Sequence, residues 1–100
     1  MIARRWHGRV AASRAQDYLR LMREVALPDY RSIPGNRGAW CLRRLDGDTV
    51  HFEMLTFWDD EEAIRRFAGS PIEVAKYYDF DDDFLLEKEP QVVHFEVAAD

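Results

Sequence analysis

The chain is poor in the residues that would commit it to a specialised class. It has one cysteine, Cys41, in 100 residues, so neither an internal disulfide framework nor a Cys-rich zinc site can form. No apolar run approaches the ~18 residues of a transmembrane helix. Residues 1–10 carry three arginines and lack the apolar stretch of a secretory signal, which sets a cytoplasmic protein as the expectation. Glycine-rich phosphate loops are missing as well. Gly35 and Gly38 fit neither the GxGxxG nor the Walker pattern, so nucleotide and flavin binding have no support and no cofactor is expected. Lysine is scarce, and twelve of the fourteen bases are arginine.

What is present describes one globular domain over residues 1–100. Hydrophobic residues make up 47% and charged residues 33%, with a net charge of −5; this excludes a disordered or collagen-like chain. The acidic balance argues against a nucleic-acid partner, and no membrane partner is expected. Charge is uneven: ten arginines and five acids in residues 1–50, four bases and fourteen acids in residues 51–100. Fifty residues are few for a domain, so the halves are read as interleaved parts of one fold. A chain this short buries roughly 60–70% of its unfolded surface. Thirteen aromatic residues leave apolar area to bury against a second copy.

Periodicity supplies the elements. Ile2 to Val10 alternates as a strand, with Ile2, Trp6 and Val10 on one side. Ser13 is a candidate N-cap for a helix carrying Ala15, Tyr18, Leu19, Met22, Val25 and Ala26, which Pro28 should end or kink. Ala39 to Leu45 and Thr49 to Trp58 form a hairpin around Asp46-Gly47-Asp48. Phe52, Met54 and Trp58 share one side of its second strand; Leu55 and Phe57 share the other, so that strand is covered on both faces. Asp59 and Asp60 open a helix that ends at Gly69. Pro71 starts a further helical turn or two through Lys76, residues 77–83 are an acidic aromatic loop, and Phe84 to Leu86 makes a short turn. Gln91 to Val97 is the last strand.

The order βαββαβ is the ferredoxin-like split pattern: an α+β fold, an antiparallel sheet in the order 4-1-3-2, and both helices on one face. The face without helices is not wet, because the third strand is apolar on both sides. A symmetric homodimer packed sheet to sheet resolves this.

Several segments resemble the small antibiotic biosynthesis monooxygenase family. They are Phe57-Trp58-Asp59-Asp60-Glu61-Glu62-Ala63-Ile64 with Phe67-Ala68-Gly69, Pro34-Gly35-Asn36-Arg37-Gly38, Phe84-Leu85-Leu86-Glu87, and His94-Phe95-Glu96-Val97. The resemblance covers nearly the whole chain and implies a dimeric α+β barrel. Some members oxidise anthrones or quinols without metal or flavin; others degrade haem. The haem-degrading branch's Asn, Trp and His fall here on Trp6 or His7, Phe67 and Tyr77, so that activity is not expected. The anthrone-oxidising branch implies a phenol, for which Tyr77 or Tyr78 qualifies, whereas its Asn has no counterpart.

Cofactor-free oxygenation needs an electron-rich, deprotonated substrate, a base tuned near neutral pH and a dry apolar cavity. Tyr77, His7 and His51 are the candidate proton handlers. Trp6, Trp58, Phe67 and Tyr78 are candidate walls for a small aromatic ligand, each also explained by core packing. The topology brings His7, His51 and His94 toward one end of the sheet, where Glu53 or Glu96 could complete a metal site. Polar residues at a sheet end or a subunit interface are the preferred reading, and no metal is expected. Asp79, Asp81, Asp82 and Asp83 lack the spacing of a calcium loop and are read as solvated. The function expected is a cofactor-independent monooxygenase for a small aromatic or quinol; the alternative is a non-catalytic small-molecule-binding or structural barrel. A filled space between sheet and helices favours the alternative.

Overall fold

A computed structural model describes residues 1–100. Four strands, β1 (Ile2–Ala11), β2 (Asn36–Asp46), β3 (Thr49–Trp58) and β4 (Val93–Glu96), form one antiparallel sheet in the order β2-β3-β1-β4. This is the expected 4-1-3-2 arrangement. Its ladder pairs Trp6 with Met54 and His7 with Glu53 across β1 and β3, and Arg4 with His94 across β1 and β4. Alternation then assigns each residue a face. Arg4, Trp6 and Val10 of β1, and Phe52, Met54, Thr56 and Trp58 of β3, are buried on the helix-covered side.

The first helical segment is longer than the sequence suggests. A 3₁₀ turn (Ala12–Arg14) leads into α1 (Ala15–Leu21), a π segment (Met22–Ala26) and α2 (Leu27–Ser32). Ser13 does not cap it; Ala11 and Arg14 hold the N-cap positions, and neither makes a side-chain cap bond. Pro28 does not end it either. Proline lacks an N–H and its ring collides with the carbonyl four residues back. The wider turn before it, in which the Leu27 N–H reaches the Met22 carbonyl, absorbs that collision and lets the helix run on.

Helix α3 (Glu61–Ala68) begins as expected. The Asp60 side chain caps it by accepting the Ala63 N–H at 2.9 Å, and Gly69 leaves it at φ 80°. Its Ala63, Ile64 and Phe67 are buried. Residues 71–76 are not helical. They form a turn and an isolated bridge, Val74 with Gln91, and the Val92 N–H binds the Glu73 carbonyl at 2.8 Å. The short turn lies slightly earlier than expected, as α4 (Asp81–Phe84). Segment 70–92 therefore closes over the helix side of the sheet as mostly irregular chain.

The opposite face has no helix over it. Trp40, Leu42, Val93 and Phe95 stand on it, and all four are exposed. No helix of the chain is long and apolar enough to cross a membrane.

Candidate functional site

Between the sheet and the helices lies a nearly filled cavity of about 10 Å³, room for about one water. Trp6 and Met54 form its floor, Tyr18, Met22 and Tyr30 its helical wall, and Tyr78 and Asp81 its cover. Met22 lies in the π segment, so the accommodation of Pro28 shapes this wall.

Two carboxylates organise the polar groups here. Asp81 is 1% exposed. Its Oδ1 accepts the Tyr18 hydroxyl at 2.7 Å and its Oδ2 accepts the Tyr78 N–H at 2.7 Å. Burial pushes the Asp81 carboxyl above its ordinary range, partly offset by those two donors. Asp29 Oδ2 accepts the Tyr78 hydroxyl at 2.6 Å and Lys76 Nζ at 3.1 Å. Burial opposes ionisation of Asp29, but these two donors hold it below the ordinary range. The Tyr18, Tyr30 and Tyr78 phenols are all raised, first by burial, so all three are neutral donors at neutral pH.

Beside this network the chain leaves donors unmatched. Arg4 is 1% exposed, and its Nε and Nη1 have no partner. Its Nη2 reaches the Val74 carbonyl at 3.4 Å, the Tyr30 phenol lies beside the guanidinium, and the Phe67 ring lies 5.5 Å away. Trp6 Nε1 and His94 Nε2 are also buried and unpaired. Burial lowers the pKa of Arg4. Burial, then the Arg4 charge, does the same for His94.

The expected site residues divide between the two faces. Trp6 and Tyr78 line the cavity. Trp58 and Phe67 lie deeper. Trp58 is fully buried and donates to Thr56 Oγ1 at 2.9 Å, and Phe67 stacks on Tyr30 at 4.3 Å. Tyr77 packs edge-on to Trp6 at 6.0 Å. Its hydroxyl donates to the Glu89 carbonyl, and burial, then Glu89, pushes it up to about 12. His7 and His51 alternate onto the helix-free face, away from the cavity. There they form a chain: Glu89 to His7 Nδ1 at 2.6 Å, His7 Nε2 to His51 Nδ1 at 2.8 Å, and His51 Nε2 to Asp46 at 3.0 Å. Two imidazoles in series between two carboxylates can pass a proton along the face.

The three histidines do not converge. Pairing of β4 with β1 sets His94 opposite Arg4 on the helix side, three residues and one face from His7. No group of three or more His, Cys, Asp or Glu side chains is arranged to hold a metal. Asp81 corrects the reading of residues 79–83 as solvated. Only burial distinguishes it from Asp79, Asp82 and Asp83, and no spacing in the sequence signals that. Arg4 had a signal, since strict alternation puts it on the same side as Trp6 and Val10.

Neither a protein-family model nor a curated protein sequence matches the chain. Solved structures do. The haem degrader MhuD from Mycobacterium tuberculosis, solved with two haems in its active site, superposes with a TM-score of 0.62 at 18% identity, covering 100% of this chain and 98% of that one. An uncharacterised NIPSNAP domain protein from Burkholderia xenovorans gives 0.61 at 19%, covering 99% and 96%. Rv0793 from Mycobacterium tuberculosis gives 0.61 at 15%, covering 100% and 98%. The likeness is one of fold alone: a ferredoxin-like α+β chain with one four-stranded antiparallel sheet.

Proposed function

We propose that this chain is a small-molecule-binding barrel protein, a cytoplasmic homodimer that receives a flat aromatic ligand between sheet and helices. The observation that carries the reading is the wall of that space. Trp6, Tyr18, Tyr30 and Tyr78 surround it with rings, and the buried donors beside it have no partner within the chain. The space is closed to about 10 Å³, so a ligand must displace its cover. Met22 and Met54 are adaptable wall groups, and irregular chain opens at lower cost than sheet. Dimer formation rests on the exposed Trp40, Leu42, Val93 and Phe95 of the helix-free face.

A second reading, cofactor-independent oxygenation of a quinol or anthrone, is favoured by Asp81. A buried carboxylate with a raised pKa at an apolar cavity suits the removal of a substrate proton. In this reading Asp81 is the base and Tyr18 holds it. Tyr77, with its hydroxyl engaged and its pKa at about 12, fits a cover residue better than a base, and His7 and His51 belong to the other face. Haem is not part of either reading, since no histidine lines the cavity.

One experiment separates the two. Anthrones and quinols are titrated against tryptophan fluorescence while oxygen uptake is recorded. Quenching that saturates, is lost in Trp6→Phe and proceeds without uptake is the result expected for binding. Uptake that is lost in Asp81→Asn makes the protein an oxygenase. A flat fluorescence trace across the panel refutes both.

A further inference from the structure

The buried side-chain nitrogens without partners are not scattered. Arg4 Nε, Arg4 Nη1, Trp6 Nε1 and His94 Nε2 come from three residues of one patch. Arg4 and Trp6 are two apart on the same face of β1, about 7 Å along the strand, and His94 is the cross-strand neighbour of Arg4. An unpaired buried donor is costly, and a buried guanidinium without a counter-charge is more so. Most buried polar groups in folded chains find partners.

The chain's own acids do not supply that counter-charge. Asp29 is taken by Lys76 and Tyr78, and Asp81 by Tyr18 and the Tyr78 amide. What Arg4 has instead is weak: one long bond to the Val74 carbonyl, the Phe67 ring face, and the neutral Tyr30 phenol. His94 faces Arg4 as an uncharged ring, since a second positive charge there is disfavoured. The patch therefore offers one fixed charge, the buried Trp6 N–H and the half-buried, uncharged His94 ring, next to a cavity that Trp6 and Tyr30 line. A water satisfies a Trp N–H but leaves the guanidinium charge unbalanced.

We infer that Arg4, Trp6 and His94 form an anion-recognition patch, and that the ligand of the adjoining pocket carries a carboxylate which pairs with Arg4. This rests on the small-molecule-binding reading and narrows it to aromatic carboxylic acids. Charge-assisted bonds from a guanidinium to a carboxylate are among the strongest available to a protein. The ring of that ligand then enters the space lined by Trp6, Tyr30 and Tyr78.

The test compares benzoate with benzamide, its neutral counterpart of the same shape, by fluorescence titration and thermal shift on the wild-type protein, Arg4→Met and Arg4→Lys. On the wild type, benzoate is expected to bind at least about tenfold tighter than benzamide. In Arg4→Met that ratio falls to about one, and the unliganded variant melts no lower than wild type, because a buried unpaired charge has been removed. Arg4→Lys keeps the preference for benzoate in reduced form, and it serves as the test if Arg4→Met does not fold. Equal binding of the two compounds to the wild type, or a ratio untouched by Arg4→Met, overturns the inference while the pocket reading stands. If neither compound binds but a quinol does, the anion patch is again refuted and the pocket retained. If nothing binds, the pocket reading itself fails and takes this inference with it.

Discussion

The bond between Tyr18 and Asp81 is the most informative place to perturb the molecule. Tyr18 is fully buried and Asp81 is 1% exposed, so neither can replace its partner with bulk water. Tyr18→Phe removes the hydroxyl and leaves Asp81 Oδ1 without a donor. A hydrogen bond to a charged group contributes about 1.5–3 kcal/mol. A loss of about 2 kcal/mol corresponds to a Tm drop of about 8–16 °C in a domain of this size. Asp81→Ala strands both the Tyr18 hydroxyl and the Tyr78 amide, at about 1–3 kcal/mol each, and is expected to be the most damaging of the set. Asp81→Asn behaves differently. Its carbonyl can accept from the Tyr78 amide and its NH₂ can donate to the Tyr18 oxygen, so both contacts are kept with the second reversed; the Tyr18 hydroxyl proton loses its acceptor, and the removal of a buried charge offsets that loss. It is expected to match or exceed wild-type stability at pH 7. The pH dependence follows from sign. The folded-state pKa of Asp81 is raised above its ordinary 3.8, so the folded protein holds that proton more tightly than the unfolded chain. The Asp81 contribution is fully present below 3.8 and is lost as pH rises through the folded value. The advantage of Asp81→Asn over wild type should therefore be largest at neutral pH and vanish in acid. Asp29, which is depressed, acts in the opposite direction, but it is common to both proteins and cancels in the difference. Urea unfolding of the four proteins between pH 4 and pH 8 measures all of this. If Tyr18→Phe and Asp81→Ala each cost under about 0.5 kcal/mol, the carboxylate is not sealed under the helices and the reasoning fails.

Two further outcomes are expected. Gly35→Ala is predicted to destabilise, because Gly35 sits at φ 94° and an added Cβ would come within 2.5 Å of the Ala63 Cβ on α3; strain and overpacking together should cost about 2 kcal/mol or more, and a melting curve unchanged from wild type would contradict it. Trp40→Lys introduces a charge into the exposed apolar patch of β2 and should convert a sheet-to-sheet dimer into monomers by sedimentation velocity at micromolar concentration. A wild-type protein already monomeric under those conditions refutes the dimer.

Much of the scaffold was legible because it depends on alternation. The two-residue period of β1 and β3, the Asp-Gly turn between β2 and β3, and the acidic opening of α3 with Gly69 at its end are local signals that tertiary packing did not override. The register between β1 and β3 follows from them, since a slip of one residue would turn Trp6 and Met54 out of the core. The helix through Pro28 was not legible. Whether proline breaks a helix or is absorbed by a wider turn depends on what the following residues pack against, and Tyr30 packs on Phe67 and Trp58. Residues 71–76 misled for a related reason. Their backbone bonds go to residues 90–92, a partner far along the chain that no local pattern reveals.

The candidate site shows the same division. The sequence by itself determined that Trp6 and His7 stand on opposite faces of β1, because side-chain parity on a strand is fixed by the backbone, and the fold then decided that the helices cover the Trp6 side. The sequence also determined that the chain offers no cysteine cluster and no phosphate loop. Only the tertiary structure decided which of four neighbouring acids became the buried one, that Arg4 stands without a counter-charge, and that His94 parts from His7 and His51. Those are consequences of burial and of pairing between distant segments. A charge in a sequence has no environment until the chain folds around it, and its environment sets its chemistry.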